Sequence, residues 1–114
     1  MRHDALQMSL LFDYYAELLS AKQRTCFDLY YNQDLSLSEI AQELGVTRQS
    51  VHDSISRAEA SLTEFERVTG CIARDRRLTL ALEEVRSACG KLQTIPDAKA
   101  LSDRILAACA SIKE

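Results

Sequence analysis

The residues best suited to chemistry lie between Thr47 and Arg57, where hydroxyl, amide, imidazole, carboxyl and guanidinium groups follow one another. A helical wheel with Val51 and Ile55 facing inward places most of these groups outside. In a DNA major groove Gln pairs with adenine, Arg with guanine and Asp with cytosine, while hydroxyls and amides at a helix start bind phosphate. The candidate nucleic-acid-binding residues are Thr47, Arg48, Gln49, Ser50, His52, Asp53, Ser56 and Arg57.

The charge distribution supports a second interpretation, in which these side chains are solvated surface. Residues 1 to 67 carry six basic and eleven acidic side chains, a sum of −5, and residues 68 to 114 carry eight basic and six acidic, a sum of +2. Proteins that bind phosphate without sequence preference usually have a basic patch, and Asp53 would repel phosphates. The same helices could therefore form an acidic protein-interaction module that does not bind nucleic acid.

Two predicted helices position the candidate residues. Ser36 and Glu39 have the spacing of a capping box, and Gly45 stands where a helix end often needs a positive φ. Thr47 is the expected N-cap of the second helix. The predicted inward residues are Ile40, Ala41 and Leu44 in the first helix, and Val46, Val51, Ile55, Ala58, Leu62 and Phe65 along the second. The stretch from Ser36 to Arg57 is therefore predicted to be a helix-turn-helix.

Helical spacing of apolar residues extends over the rest of the chain. It predicts a first helix between Asp4 and Leu19, a second from Ser20 to near Asn32, a break or bend at Gly70, and further helices on either side of Pro96. The apolar positions are Leu6, Leu10, Leu11, Tyr14 and Leu18 in the first helix, Leu78, Leu82, Val85, Cys89 and Leu92 before Pro96, and Leu101, Ile105, Ala108 and Ile112 after it. The fold class is therefore all-α, with residues 1–114 as a single domain made of a helix-turn-helix part (4–67) and C-terminal helices (68–114).

Metal binding and catalysis are not expected. The cysteines Cys26, Cys71, Cys89 and Cys109 have no Cys-x-x-Cys spacing, and only His3 and His52 could complete a metal site. We expect reduced cysteines, no metal and no cofactor. Asp53 points about 100° away from His52 on a helix, and no nucleophile is placed to use the pair, so the protein is not expected to be an enzyme. No signal peptide or apolar span is evident, and the expected location is the cytoplasm.

Two further groups have alternative interpretations. Arg74, Arg76 and Arg77 could contact the phosphates of RNA or DNA, although a solvated helix start is favoured. The tyrosine pairs Tyr14–Tyr15 and Tyr30–Tyr31 could stack on bases, although core packing is favoured.

The run LLSAKQRTCFDLYYNQDLSLSEIAQELGVTRQSVHDSISRAEASL, about residues 18 to 62, resembles region 4 of bacterial sigma factors. A closer match adds FDYYAELLSAKQR and LTEFE, and over roughly residues 5 to 67 the chain resembles the small YlxM-type helix-turn-helix proteins. These resemblances imply a helix-turn-helix, winged-helix-like, DNA-binding or regulatory protein. Genes of that family commonly lie beside those of the signal recognition particle, which implies a regulatory role in that pathway and its components as partners. Ser56 stands where a lysine is common in the family, so any contact that relies on that lysine is absent here.

A homodimer is also expected. The apolar stripe at 55, 58, 62, 65, 68 and 72 is long enough that a core of this size would leave part of it uncovered.

Overall fold

A computed structural model describes residues 4–112 and is helical almost throughout. The helices are α1 (Ala5–Tyr15), α2 (Ala21–Phe27), α3 (Leu37–Leu44), α4 (Arg48–Thr69), α5 (Cys71–Leu92) and α6 (Lys99–Ile112). Short 3-10 turns cover Ala16–Leu18 and Pro96–Ala98, and a π-helical turn covers Asp28–Asn32. The described range has no β-strand, so the all-α prediction is confirmed, and the β-hairpin wing of a winged-helix protein is absent from that range.

The contacts divide the chain after Ile72 into two compact units, which we call the N-terminal unit (residues 4–72) and the C-terminal unit (residues 73–112). The division falls near the boundary at residue 67 that the sequence suggested. That the two units make up one domain stays a prediction.

Side-chain caps begin the first two helices. Asp4 Oδ1 accepts hydrogen bonds from the amides of Leu6 (3.0 Å) and Gln7 (3.3 Å), and Ser20 Oγ accepts from the Gln23 amide (3.2 Å). These oxygens satisfy amides that have no partner within the first helical turn. Both helices therefore begin where the sequence predicts, and α1 gives way to the 3-10 turn before Leu19.

The end of the second predicted helix is wound as a π-helix. The Gln33 amide donates to the Asp28 carbonyl at 3.1 Å, five residues earlier. This turn contains Tyr31, which is buried and whose hydroxyl donates to Glu59 Oε2 on α4. Single π-turns are uncommon in proteins, and apolar periodicity does not distinguish them from an ordinary helix.

The helix-turn-helix forms as predicted. Ser36 Oγ accepts from the Glu39 amide at 3.1 Å and Glu39 Oε1 accepts from the Ser36 amide at 2.9 Å, which completes the capping box. Gly45 ends α3 with φ +68°, in the left-handed region that favours glycine. Thr47 then caps α4, and Ile40 and Ala41 are buried against that helix.

The core of the N-terminal unit is built on three aromatic rings and the inner face of α4. Phe27 stacks on Phe12 and on Tyr31, with ring centroids 4.8 and 4.5 Å apart. The fully enclosed part of the α4 face consists of Val51, Ile55, Ala58 and Leu62. Tyr15 and Tyr31 are buried and Tyr30 is half-buried, whereas Tyr14 is 41% exposed, so three of the four tyrosines pack into or against the core.

Several predicted inward residues are exposed instead. Leu44 and Val46 lie beside the turn at Gly45, where the chain leaves the α3 face before α4 begins, and each is 36% exposed. In α1 the buried residues are Met8, Leu11 and Tyr15, with Leu19 after the 3-10 turn. The predicted positions Leu6, Leu10, Tyr14 and Leu18 are exposed. Because α1 is apolar around most of its circumference, spacing alone did not identify its inward face.

The junction after α4 explains the break at Gly70. Gly70 has φ +62° and ends α4, while Glu66 Oε1 accepts from the Ile72 amide (3.0 Å) at the start of α5. The Tyr15 hydroxyl donates to the same oxygen at 2.5 Å. Because α5 begins at Cys71, the arginines at 74 to 77 lie inside it, not before the helix as the sequence suggested.

The C-terminal unit has a narrow buried seam. Its buried residues are Leu82 and Cys89 on α5 and Ser102 and Cys109 on α6. Ser102 Oγ donates to the Cys89 carbonyl (3.0 Å) and accepts from Gln93 Nε2 (2.8 Å). The predicted apolar face of α6 is exposed at Leu101, Ile105 and Ile112. The face that the sequence predicts to be apolar is therefore present but exposed, because the small, polar Ser102 occupies the inward position.

Candidate nucleic-acid interface

The first turn of α4 is the centre of the candidate site. Thr47 Oγ1 accepts a hydrogen bond from the Ser50 amide at 3.0 Å and so fixes the point where the helix begins. The residues that follow therefore have defined directions, with Val51 enclosed in the core and Arg48 and Gln49 exposed. A helix that begins this way presents its first amides and side chains outward, as binding in a major groove requires.

The structure adds Lys22, which the sequence analysis did not identify as a site residue. Its Nζ donates to Ser50 Oγ at 2.6 Å, from α2 to the first turn of α4. Lys22 and Ser50 are 28 residues apart in the sequence, so sequence spacing does not indicate that the two side chains are in contact. The signal that could have found it is its place in the AKQR segment of the family resemblance.

A shallow, polar cleft of about 320 Å³ surrounds this contact. Its lining residues are Lys22, Thr47, Gln49, Ser50, Asp53, Ser54 and Arg57. Two cations and one carboxylate face it, and Arg48 is exposed nearby on α4. The candidate site is thus locally more positive than the −5 sum of its half of the chain.

Asp53 is held by its neighbours on α4. Gln49 Nε2 donates to Asp53 Oδ1 at 2.9 Å, and His52 Nδ1 lies 3.6 Å from the same oxygen, beyond hydrogen-bond distance. The Gln49 hydrogen bond, with smaller contributions from His52 and Arg57, lowers the pKa of Asp53. Asp53 is therefore a carboxylate at neutral pH, and a base contact by Gln49 Nε2 requires that this hydrogen bond be released.

The eight predicted residues lie together on and beside the first three turns of α4. Thr47, Arg48, Gln49, Asp53 and Arg57 are exposed. Ser50, His52 and Ser56 are half-buried, so less of each side chain is available to a ligand. That these residues bind nucleic acid stays a prediction.

The cysteines do not form a metal site in the described part of the chain. All four are free, with Cys26, Cys89 and Cys109 buried and Cys71 half-buried. Residues 4–112 contain no group of three or more His, Cys, Asp or Glu side chains that could hold a metal ion. His3, named above as a possible ligand, lies outside the described residues. No helix in that range is long and apolar enough to cross a membrane.

Fold and site together define a helix-turn-helix protein: a capped helix, a glycine turn and a second capped helix with a polar outer face. Comparison with known proteins agrees. The sequence model of the UPF0122 family, described as "Putative helix-turn-helix protein, YlxM / p13 like", matches residues 2–98. The chain belongs to this family.

Relatives from several bacteria have the same family name. The UPF0122 protein of Halalkalibacterium halodurans is 39% identical over 105 residues, which cover 92% of this chain and 96% of the relative. That of Shouchella clausii is 41% identical with the same coverage. That of Desulforamulus reducens is 44% identical over 79 residues, which cover 69% of this chain and 68% of the relative. The similarity to the first two relatives thus extends beyond the helix-turn-helix into the C-terminal unit.

Proposed function

We propose that this protein is a non-enzymatic regulator that binds nucleic acid through the first turns of α4. The observation that carries the proposal is the Lys22–Ser50 hydrogen bond, which brings a cation from α2 to the capped start of α4. A lysine, a hydroxyl and outward-facing amides at one helix start are groups that bind a backbone phosphate. The cytoplasm, where nucleic acid is accessible, is the proposed location.

The proposed contacts are of two kinds, to phosphate and to base edges. Lys22, Thr47 and Ser50 contact phosphate and fix the position of α4. Gln49 and Arg57 contact base edges, since amide and guanidinium groups can make paired hydrogen bonds to adenine and guanine. Because Asp53 is a carboxylate beside them, it disfavours phosphate at the middle of this face, and binding depends on the target sequence.

Fluorescence anisotropy with labelled duplex DNA and RNA at about 50 mM salt, where electrostatic binding is strong, tests the proposal. Replacing both Gln49 and Arg57 by alanine should weaken the preferred target by roughly 1 to 3 kcal/mol per lost paired contact and reduce sequence preference. Lys22→Ala should weaken all targets alike and lower the salt slope on duplex DNA by about 0.9.

Arg67→Ala is the matched control, because Arg67 is an exposed cation of the same helix that pairs with Glu64 and lies three turns beyond the site. It should bind like the wild type. If the Lys22 and Gln49/Arg57 variants bind as Arg67→Ala does, α4 does not contact nucleic acid.

The second candidate function is an interaction module for a protein. The −5 charge of residues 1 to 67 favours it, because most of that charge lies outside the cleft. The family resemblance suggests signal recognition particle components as partners, so its RNA and its protein are titrated separately beside random duplex DNA. Binding of the protein component alone, unchanged by the Gln49/Arg57 variant, would favour the interaction module.

We also propose a homodimer, with a different surface from the one that the sequence suggested. Ile55, Ala58 and Leu62 of the expected stripe are enclosed in the core of the N-terminal unit, and Phe65 and Ile72 pack against it. Val68 is the member of that stripe that stays exposed, at 66%. In α6, by contrast, Leu101, Ile105 and Ile112 are 58%, 41% and 53% exposed, and Leu101 and Ile105 border a shallow apolar groove. A second copy of the same face would cover these residues.

A further inference from the structure

We propose that Arg74, Arg76 and Arg77 of α5 form a second contact site for the phosphate backbone of a nucleic acid. The inference rests on the nucleic-acid binding proposed above, but not on the choice of α4 as the base-contacting element. All three side chains belong to the C-terminal unit and all three residues are exposed. Their position inside a helix, not in a loop before it, gives the Cα–Cβ bond of each arginine a defined direction.

The three arginines have no acidic partner among the residues that the structure describes. No acidic residue stands three or four positions from any of them, and among residues 4–112 they form no ion pair. Elsewhere in the chain, Arg67 lies 2.5 Å from Glu64 and Lys99 lies 3.2 Å from Asp103. Arg74 and Arg77, three residues apart, instead repel each other on the helix surface. A bound polyanion would relieve that repulsion.

The directions of the three arginines around α5 fit the groove of a nucleic acid better than a flat membrane surface. With Leu82 and Cys89 marking the buried side of α5, steps of about 100° per residue place Arg76 and Arg77 about 130° from the buried direction, one on each side, and Arg74 about 70° from it. The three directions span about 160° of the helix circumference. A flat membrane meets one face of a helix, whereas a helix in a nucleic-acid groove has phosphates on both sides.

The side-chain chemistry fits phosphate. Arginine offers several N–H donors in a planar fork that can bind two phosphate oxygens at once, and its charge is weakly hydrated. Such contacts hold a protein on the backbone and carry no sequence information of their own. The site would therefore add affinity and salt dependence, and leave sequence preference to another element.

The test compares two triple variants that remove the same charge. One is Arg74→Gln, Arg76→Gln and Arg77→Gln; the control is Arg67→Gln, Lys91→Gln and Lys99→Gln. Binding of full-length protein to duplex DNA and to single-stranded RNA is measured by anisotropy between about 50 and 200 mM salt. Because each phosphate contact contributes about 0.9 to the slope on duplex and about 0.7 on single strands, the first variant should lower the slope by about 2 to 3.

The control should keep most of the wild-type slope, and changing the three arginines to lysine should restore it. If the Arg74/Arg76/Arg77→Gln variant (the cluster variant) and the control show the same salt dependence on both nucleic acids, the inference is wrong. A larger loss on one nucleic acid identifies the source of the phosphates. Cluster-dependent binding to phosphatidylglycerol vesicles, without any change on nucleic acid, would also overturn the inference.

The Gln49/Arg57 variant separates this inference from the proposed function. If that variant binds normally while the cluster variant loses slope, the cluster binds nucleic acid and α4 does not. If the Gln49/Arg57 variant loses sequence preference while the Arg74/Arg76/Arg77 variant has the same slope as its control, only α4 binds nucleic acid. Absence of wild-type binding to either nucleic acid at about 50 mM salt would overturn both.

Discussion

Tyr31 and Glu59 are a polar pair inside the largely apolar core of the N-terminal unit. Tyr31 is 6% exposed, Glu59 is 5% exposed, and the tyrosine hydroxyl donates to the carboxylate. A buried carboxylate needs such donors, because burial without them is costly. The pair also joins the π-helical turn to the middle of α4 and so fixes the position of the helix that carries the candidate site.

Replacing Tyr31 by phenylalanine should therefore destabilise the protein by about 1 to 3 kcal/mol, since it removes a hydrogen bond to a buried acceptor. Urea denaturation of the wild type, Tyr31→Phe, Glu59→Gln and the double variant measures this as a double-mutant cycle. We expect the double variant to lose less than the sum of the single losses. Strict additivity would mean that the two side chains do not interact energetically.

At the scale of the element, the capping box sets the start of α3. Ser36→Ala removes the hydroxyl that accepts from the Glu39 amide and should cost about 1 kcal/mol of unfolding free energy. Ser38→Ala is the control, because Ser38 is an exposed serine in the first turn of the same helix and is not its N-cap. A Ser36→Ala variant as stable as Ser38→Ala would contradict the capping role.

The contribution of the capping box to folding stability should depend on pH. Hydrogen bonds from Ser36, first from its backbone amide, lower the pKa of Glu39 below its usual value. The charged form is thus favoured in the folded state, and its stabilisation is present above the ordinary glutamate pKa and lost as the pH falls through the lowered one. In urea denaturation from pH 7 to acid, Glu39→Gln should lose less stability than the wild type. Glu43→Gln, which removes a carboxylate of α3 outside the capping box, is the control variant.

The helix boundaries were predictable wherever a local chemical signal marks them. Gly45 and Gly70 adopt positive φ, and Ser20, Ser36 and Thr47 cap the helices that follow them. These features depend on neighbours within a few residues, so sequence shows them.

Facing directions and distant contacts were not predictable in the same way. Leu6 and Met8 are both apolar, and only the packing of α1 against α4 selects Met8 for burial. In α6, Ser102 is buried because Gln93 and the Cys89 carbonyl satisfy its hydroxyl, which periodicity of apolar residues cannot indicate. The candidate residues on α4 were named from sequence, whereas Lys22 was missed because its partner is far along the chain.

At the scale of the whole molecule, the exposed apolar face of α6 predicts self-association. Light scattering at micromolar concentration should give about twice the chain mass of 12.8 kDa. Replacing Leu101 and Ile105 by glutamate should shift the protein to monomer, because charges would have to be buried in the interface. The control replaces Leu6 and Leu18, which are more exposed and belong to the N-terminal unit, by glutamate and should remain dimeric. A wild-type protein that scatters as a monomer would contradict the prediction.

The N-terminal core needs no residue beyond Ile72, so it can fold before the end of the chain is available. Its buried side chains run from Met8 to Leu62, and the last residues that pack against it are Cys71 and Ile72. Chains are synthesised from the N-terminus, and compact units commonly fold as they emerge. The helix-turn-helix can therefore complete its packing while α6 is still inside the ribosome, and a nascent chain can present α4 before the α6 face is exposed.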